Sequence, residues 1–379
     1  MSNEHRVAVG LVERIGMDDS IIAYEPANGE KIKETTAIAN HEVAIKMVLD
    51  KLVDAKVGVI KSLADITAVG HRVVHGAEKF SGSVLINDAV LAALEECIPL
   101  APLHNPPNIT GIKAMMHALP GVPNVGVFDT AFHASMPPES YIYALPYEWY
   151  EQNHVRRYGF HGTSHRFVSE RAAEILGIAK DQFNCITCHM GNGSSFTAIK
   201  GGKSYDTSMG MTPLEGIVMG TRSGDIDAGI IKYMAENNGM SFADIDNALN
   251  KKSGLLGISG VSSDMRDVET AAKEGNARAK LAIDVLRHRS LQYIGAYAVE
   301  LGRVDAIIFT GGIGENGIDF RGSVVEKLSA LGIKLDAAAN NVRGKEAVIS
   351  TPDSPIKVMI VPTNEELVIA RDTKEIVGK

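Results

Sequence analysis

Three cysteines in 379 residues, Cys97, Cys185 and Cys188, are too few for a disulfide framework, so the fold must rest on a core of its own. No apolar run reaches the length of a membrane span, which excludes a helical membrane anchor within the sequence and a membrane partner reached through it. Positive charge is in deficit. The 38 Lys and Arg against 46 Asp and Glu give a formal net charge of −8, which argues against nucleic acid as the main partner. The opening MSNEHRVAVG lacks a signal-peptide layout, and the chain has no low-complexity segment and no short-period repeat. A cytoplasmic location is therefore the expectation. Chemical signatures are missing too. Without GxxxxGK[ST], HExxH or GxSxG, the sequence offers no standard P-loop, helical zinc protease site or serine nucleophile elbow.

What is present is glycine, 37 residues of it, concentrated around polar motifs. At 379 residues the chain is too long for one ordinary core and predicts two domains with a cleft between them. The stretch from Cys185 to Asp227 organises the rest. An apolar strand-like run, residues 185–188, leads into His189-Met190-Gly191-Asn192-Gly193-Ser194-Ser195, where small residues expose backbone N–H groups as a phosphate cradle would. Residues 196–200 and 203–207 then read as a hairpin about Gly201-Gly202. Arg222, in the loop 221–227, is placed to reach transferring phosphoryl oxygens.

Periodicity predicts strands at residues 5–15, 66–74, 125–128, 305–309 and 357–361. It predicts helices at 42–54, at 277–301, from the GFHGTSH motif to Leu176 with Gly177 as its stop, and at the C-terminus. Residues 103–107, LHNPP, read as a stiff loop, residues 147–158 as a boundary or crossing segment, and residues 311–316, GGIGEN, as a second glycine-rich turn. Arg72, Asp129, His189, residues 311–316 and Glu365 all fall at or just past the C-terminal end of a strand, where open α/β sheets bind ligands.

Two glycine loops on two strands, with Asp264-Met265-Arg266 for further contacts, point to a nucleotide. An isolated arginine is ordinarily a solvated surface residue. Arg72 and Arg222 in one cleft, however, make the cationic clamp that phosphoryl transfer needs, and His161 adds a third donor. The spacings His161-x-x-x-His165 and Cys185-x-x-Cys188-His189 resemble zinc half-sites. Zinc is the weaker reading, because strand residues three apart face opposite sides and a structural site takes four ligands.

Eight motifs, HRVVHG (71–76), APLHNPP (101–107), FDTAFH (128–133), GFHGTSH (159–165), CHMGNGSS (188–195), MGTRSGDID (219–227), FTGGIGEN (309–316) and PTNEE (362–366), resemble in order the signatures of the acetate kinases. The resemblance implies an α/β fold, the duplicated ribonuclease H-like two-domain fold shared with actin and the sugar kinases. Residues 1–129 with 366–379 would form one domain and 130–365 the nucleotide-binding one. It also implies a homodimer that exchanges phosphate between ATP and acetate, giving acetyl phosphate and ADP, with Mg²⁺ or Mn²⁺.

Position by position, the resemblance makes Asp129, His161 and Arg222 catalytic and Arg72 a substrate ligand. Val74, Leu103, Phe160 and Pro213 become the pocket for the acetate methyl, and Glu365 the metal site. The nucleotide would lie along His189, Met190, Gly191, Asn192 and Gly193, along Asp264, Met265 and Arg266, and along Gly312, Ile313, Gly314, Glu315 and Asn316. The rival readings are a propionate or butyrate kinase, since one methylene changes discrimination by only about 1–3 kcal/mol, and a non-enzymatic nucleotide-binding dimer.

Two departures from the family stand out. The N-A-G-S-S-S-x-K loop that opens the family pattern has no counterpart in these 379 residues. The expectation is that Met1 is an internal methionine, that the reading frame continues upstream, and that residues 1–379 alone are impaired in stability and activity. The second is Ala77, where the family has glycine; alanine fits there only if φ is negative.

Overall fold

The computed structural model describes residues 4–378, so the expectation attached to Met1 lies outside the described residues. They form two compact units, one running to Phe128 and resuming at Glu366, the other Asp129–Glu365.

The first unit opens with an antiparallel meander of β1 (Ala8–Glu13), β2 (Ile21–Pro26) and β3 (Ile32–Thr35). Helix α1 (His41–Leu52) follows, started by Asn40, whose side chain accepts from the Val43 N–H at 3.0 Å. A second sheet places β6 (Asn124–Phe128) between β4 (Val69–Val73) and β5 (Val84–Leu85), with β4 and β6 parallel and joined through α2 (Asp88–Glu96) and α3 (Asn105–Ala118).

Two expectations need correction here. The LHNPP segment is a loop only as far as His104; α3 starts at Asn105, and both prolines sit in its first turn. The N–H groups there have no helical acceptor, so proline loses nothing, and its fixed φ suits the helix. Ala77 does not take a negative φ: its φ is +50°, with its N–H donating to His75 Nδ1 at 3.0 Å. A side chain in the left-handed region is strained, whereas glycine is not. Ala77→Gly is therefore expected to stabilise this unit by about 1 kcal/mol, raising the thermal midpoint by about 3 °C. Calorimetry of the two proteins checks this.

The second unit carries α4 (Pro138–Tyr141), α5 (Tyr147–Asn153) and α6 (Gly162–Leu176), the last ended by Gly177 at φ +67°. Then come β7 (Cys185–Met190), β8 (Ser194–Lys200) and β9 (Lys203–Thr207), followed by α7 (Gly229–Asn238), α8 (Phe242–Lys251), α9 (Gly254–Ser259), α10 (Met265–Lys273) and α11 (Ala277–Leu301). The chain continues through β10 (Ala306–Thr310), α12 (Gly311–Asn316), α13 (Ile318–Val325), α14 (Ala337–Asn340), β11 (Ala347–Val348) and β12 (Lys357–Ile360), and ends in α15 (Glu365–Val377), which after its first residue belongs to the first unit. The strands make one sheet in the order β11-β12-β10-β7-β8-β9, parallel across β12, β10 and β7 and antiparallel at both edges.

Side-chain alternation explains why this sheet is covered on both faces. Ile186, Cys188 and Met190 join Ile307, Phe309, Val358 and Ile360 in a core completed by Ala282, Leu286 and Ile294 of α11. Cys185, Ala306, Ile308 and Met359 point the other way, against Val168, Ala172 and Ala173 of α6. Cys185 and Cys188 thus serve two different cores, an arrangement that does not let both thiols bind one metal ion.

Two glycine-rich segments differ from expectation. The 189–195 loop is shorter: β7 runs on to Met190 and pairs with β8 through His189↔Ser195 and Met190↔Ser194, leaving three residues as the turn. Residues 311–316 are not a turn but α12. Gly311 permits it, with φ +75° and so close to β7 that a methyl group there would fall 2.7 Å from the Met190 carbonyl oxygen.

Candidate active site

His161 occupies the N-cap position of α6 with φ 55°, in the left-handed region. Such a conformation persists only when its surroundings impose it. Gly162 imposes it from one side: its N–H donates to the buried Asp129 carbonyl at 2.9 Å, an approach that no side chain at residue 162 could make. From the other side, His161 Nδ1 lies 2.8 Å from Ser195 Oγ, and the ring stacks on His189 with centroids 4.2 Å apart. Ser164 holds His189 in turn, 2.9 Å from Nδ1.

Arg222 arrives from the long loop after β9. Asp225 ties that loop down, accepting from the Gly216 N–H at 2.8 Å and from the Tyr293 hydroxyl of α11 at 2.7 Å. The Arg222 guanidinium is half-buried; its Nη1 donates to the Pro213 carbonyl at 3.1 Å, and burial lowers its pKa. Glycine at 193 leaves room for both groups. A Cβ placed there would lie 3.4 Å from Arg222 Nη1 and 3.5 Å from His161 Nε2. His161, Arg222 and the β7–β8 turn therefore converge on one point.

A cavity of about 650 Å³ is lined by residues of that turn, Gly191 and Asn192, by Asp264, Met265 and Arg266 at the start of α10, and by Gly312, Ile313 and Asn316 of α12. The sequence-expected nucleotide segments thus supply one concave wall each. Asp264 caps α10 by accepting from the Arg266 N–H at 2.9 Å, and its side-chain bond to the Arg266 guanidinium lowers its pKa to about 2. Met190 is packed in the core instead. Gly314 and Glu315 are not lining residues: Glu315 Oε1 accepts from the N–H groups of Gly311 at 2.9 Å and Thr363 at 3.2 Å, fastening α12 to the segment after β12.

Ser263, Glu269, Gly317 and Arg343 also line the cavity, and sequence reasoning missed them. Gly312, Gly314 and Gly317 stand in GxGxxG spacing, a signal that extends the motif to Gly317; Arg343 sits in no motif at all.

The remaining expected residues are placed unit by unit. In the first unit, Arg72 lies near the end of β4, Val74 just beyond it is buried with its N–H donating to Asn108, and Leu103 is exposed. In the second, Phe160 is buried with its carbonyl 2.9 Å from His133 Nε2, and Glu365 is the first residue of α15. Among the described residues, no group of three or more His, Cys, Asp or Glu is disposed to hold a metal ion. Mg²⁺ does not require one, since it takes one or two carboxylates and completes its shell with water and substrate phosphates. Glu365 is a hard oxygen donor of that kind, so its chemistry fits. No helix among the described residues is long and apolar enough to cross a membrane.

A family model described as the acetokinase family matches residues 1–371. Acetate kinase of Desulfitobacterium hafniense (strain DSM 10664 / DCB-2) is 56% identical over all of this chain and 95% of its own length. The crystal structure of Porphyromonas gingivalis acetate kinase matches with a TM-score of 0.94 and 51% identity, covering 98% of this chain and 93% of that one. A propionate kinase from Francisella tularensis subsp. tularensis SCHU S4 matches with a TM-score of 0.92 and 44% identity, covering 98% and 94%.

Proposed function

The chain belongs to the acetokinase family, with the mixed α/β fold of the acetate kinases, and from that premise we propose that it transfers the γ-phosphoryl group of ATP to acetate, reversibly, giving acetyl phosphate and ADP. The observation that carries this reading is the convergence of Arg222 Nη1 and His161 Nε2 on Gly193, beside a cavity walled by three nucleotide-type segments. ATP would occupy that cavity with its phosphates toward Gly191–Gly193.

Negative charge spreads over the equatorial oxygens during phosphoryl transfer, so two preformed donors at one point do the most where the charge develops. Acetate, a carboxylate with a pKa near that of glutamate at about 4.3, is already ionised at neutral pH and has no proton to surrender. Asp129 is therefore an orienting group for an arginine or a metal-bound water rather than a general base. Arg72 binds the substrate carboxylate. Mg²⁺, held by Glu365, would supply charge neutralisation on the phosphates. The same reading makes the protein a homodimer; light scattering at a range of concentrations tests this.

The likeness to the acetate kinases supports giving Val74 a place in the pocket for the acetate methyl group. The likeness to a propionate kinase supports a second reading, in which the pocket takes a three-carbon acid. Val74→Ala is expected to move the preference from acetate toward propionate by about 10-fold, because the lost methyl carbons make room for one methylene. Competition between the two acids measures it, and a constant ratio removes Val74 from the pocket. The transfer reading itself requires that ATP consumption depend on added acid. Equal consumption with and without acetate or propionate would refute it.

A further inference from the structure

Ser195 stands between two imidazoles. Its hydroxyl is 2.8 Å from His161 Nδ1 and 2.7 Å from His165 Nε2, while His165 Nδ1 is 2.7 Å from Thr187 Oγ1. Thr187, His165 and Ser195 are all fully buried. Desolvation, with His133 and His189 nearby, holds the His165 pKa well below its ordinary value, so its ring is neutral and carries one proton.

A serine hydroxyl has one proton and two acceptor lone pairs, so Ser195 donates to at most one ring; the buried proton is satisfied when it goes to one ring while the other ring donates to the oxygen. Two arrangements meet that condition. In the first, His165 donates through Nδ1 to Thr187, and the Thr187 proton is left with the Thr197 carbonyl at 3.5 Å, the outer limit for such a bond. In the second, Thr187 donates to His165 Nδ1, His165 Nε2–H donates to Ser195, and Ser195 donates to His161 Nδ1. Every link is then 2.7–2.8 Å long, and no hydroxyl proton depends on the 3.5 Å contact. The stacking of His161 on His189 at 4.2 Å also disfavours two cationic rings.

We propose that the Thr187–His165–Ser195 chain of hydrogen bonds holds neutral His161 as its Nε2–H tautomer, so that Ser195 and His165 are positioning residues for a donor aimed at the point shared with Arg222. The proposal rests on reading this point as the phosphoryl-transfer site. A neutral imidazole so fixed gives a hydrogen bond to the developing charge without placing a second cation beside Arg222.

Long-range ¹H–¹⁵N spectra of histidine-labelled, nucleotide-free protein test it, with the His161 signals assigned by their loss in His161→Gln. The expected result is an unprotonated Nδ1 and a protonated Nε2. The opposite tautomer overturns the proposal whether or not the protein makes an acyl phosphate, so failure here is distinct from failure of the functional reading. In Ser195→Ala, the ring should become a mixture of tautomers, and kcat should fall about 10-fold with KM for ATP within about twofold. A folded Ser195→Ala protein with wild-type kcat and tautomer overturns the role of Ser195. Should that variant not fold, the tautomer of the unsubstituted protein decides alone.

Discussion

Arg222→Ala is expected to lower kcat by about 10²–10³-fold while changing the affinity for ATP by no more than about threefold. The guanidinium is fixed by the Pro213 carbonyl and by a loop anchored through Asp225, so it is in place before charge develops. Contacts that strengthen only in the transition state change kcat; contacts equal in ground and transition states change KM. Arg222→Lys should not restore the rate, since an ammonium lacks the planar fork that meets two phosphoryl oxygens. Steady-state kinetics with both substrates varied, together with nucleotide titration, separates the two effects. A variant with unchanged kcat would remove Arg222 from the catalytic set.

Arg321→Met is expected to cost about 4 kcal/mol or more of stability, through a residue with no direct part in the chemistry. Arg321 is fully buried, and among the described residues no acid pairs with it. Its guanidinium donates instead to the Asn340 side-chain oxygen and to the carbonyls of Gly314, Asn340 and Val342, at 2.9–3.1 Å. Desolvation, with Arg343 nearby, pulls its pKa down to about 10, so it remains charged at neutral pH. Removing it orphans three buried acceptors and a partly buried one, the buried ones each worth about 1–3 kcal/mol when unpaired, and the methionine offers no donor in return. A loss of about 4 kcal/mol lowers the midpoint of a unit this size by about 10 °C. Gly314 belongs to α12 and Val342 adjoins Arg343, a lining residue of the cavity, so KM for ATP should rise as well. Thermal unfolding and ATP saturation check the two halves of this expectation.

Where local pattern and tertiary context agree, the sequence was readable to the residue. The α11 helix begins and ends as its 3.6-residue periodicity predicts, between Asn276 as N-cap and Gly302 beyond its last turn. The alternation in 185–188 correctly put its two cysteines on opposite faces. The errors arose where a distant contact outweighs composition. His189 and Met190 read as loop because glycine follows, yet their partners in β8 extend the strand. Gly311 and Gly312 suggest a turn, but the close approach of α12 to β7 makes a glycine a condition of that helix. Ala77 holds a positive φ that its side chain resists.

The site divides in the same way. His161, Arg222 and the glycines of the β7–β8 turn announce themselves by motif. Ser195 and His165 owe their relation to His161 to a bond network spanning α6, β7 and β8, and Arg321 and Arg343 act from a segment without any local signature. Spacing along the chain carries no record of such contacts.

Phosphorus NMR of the product mixture tests the central claim most directly. The protein, given ATP, Mg²⁺ and acetate, should convert the γ-phosphate signal into that of acetyl phosphate, with ADP formed in equal amount. Bound ATP that is left intact, or hydrolysed to inorganic phosphate with no acyl phosphate from acetate, would contradict the account.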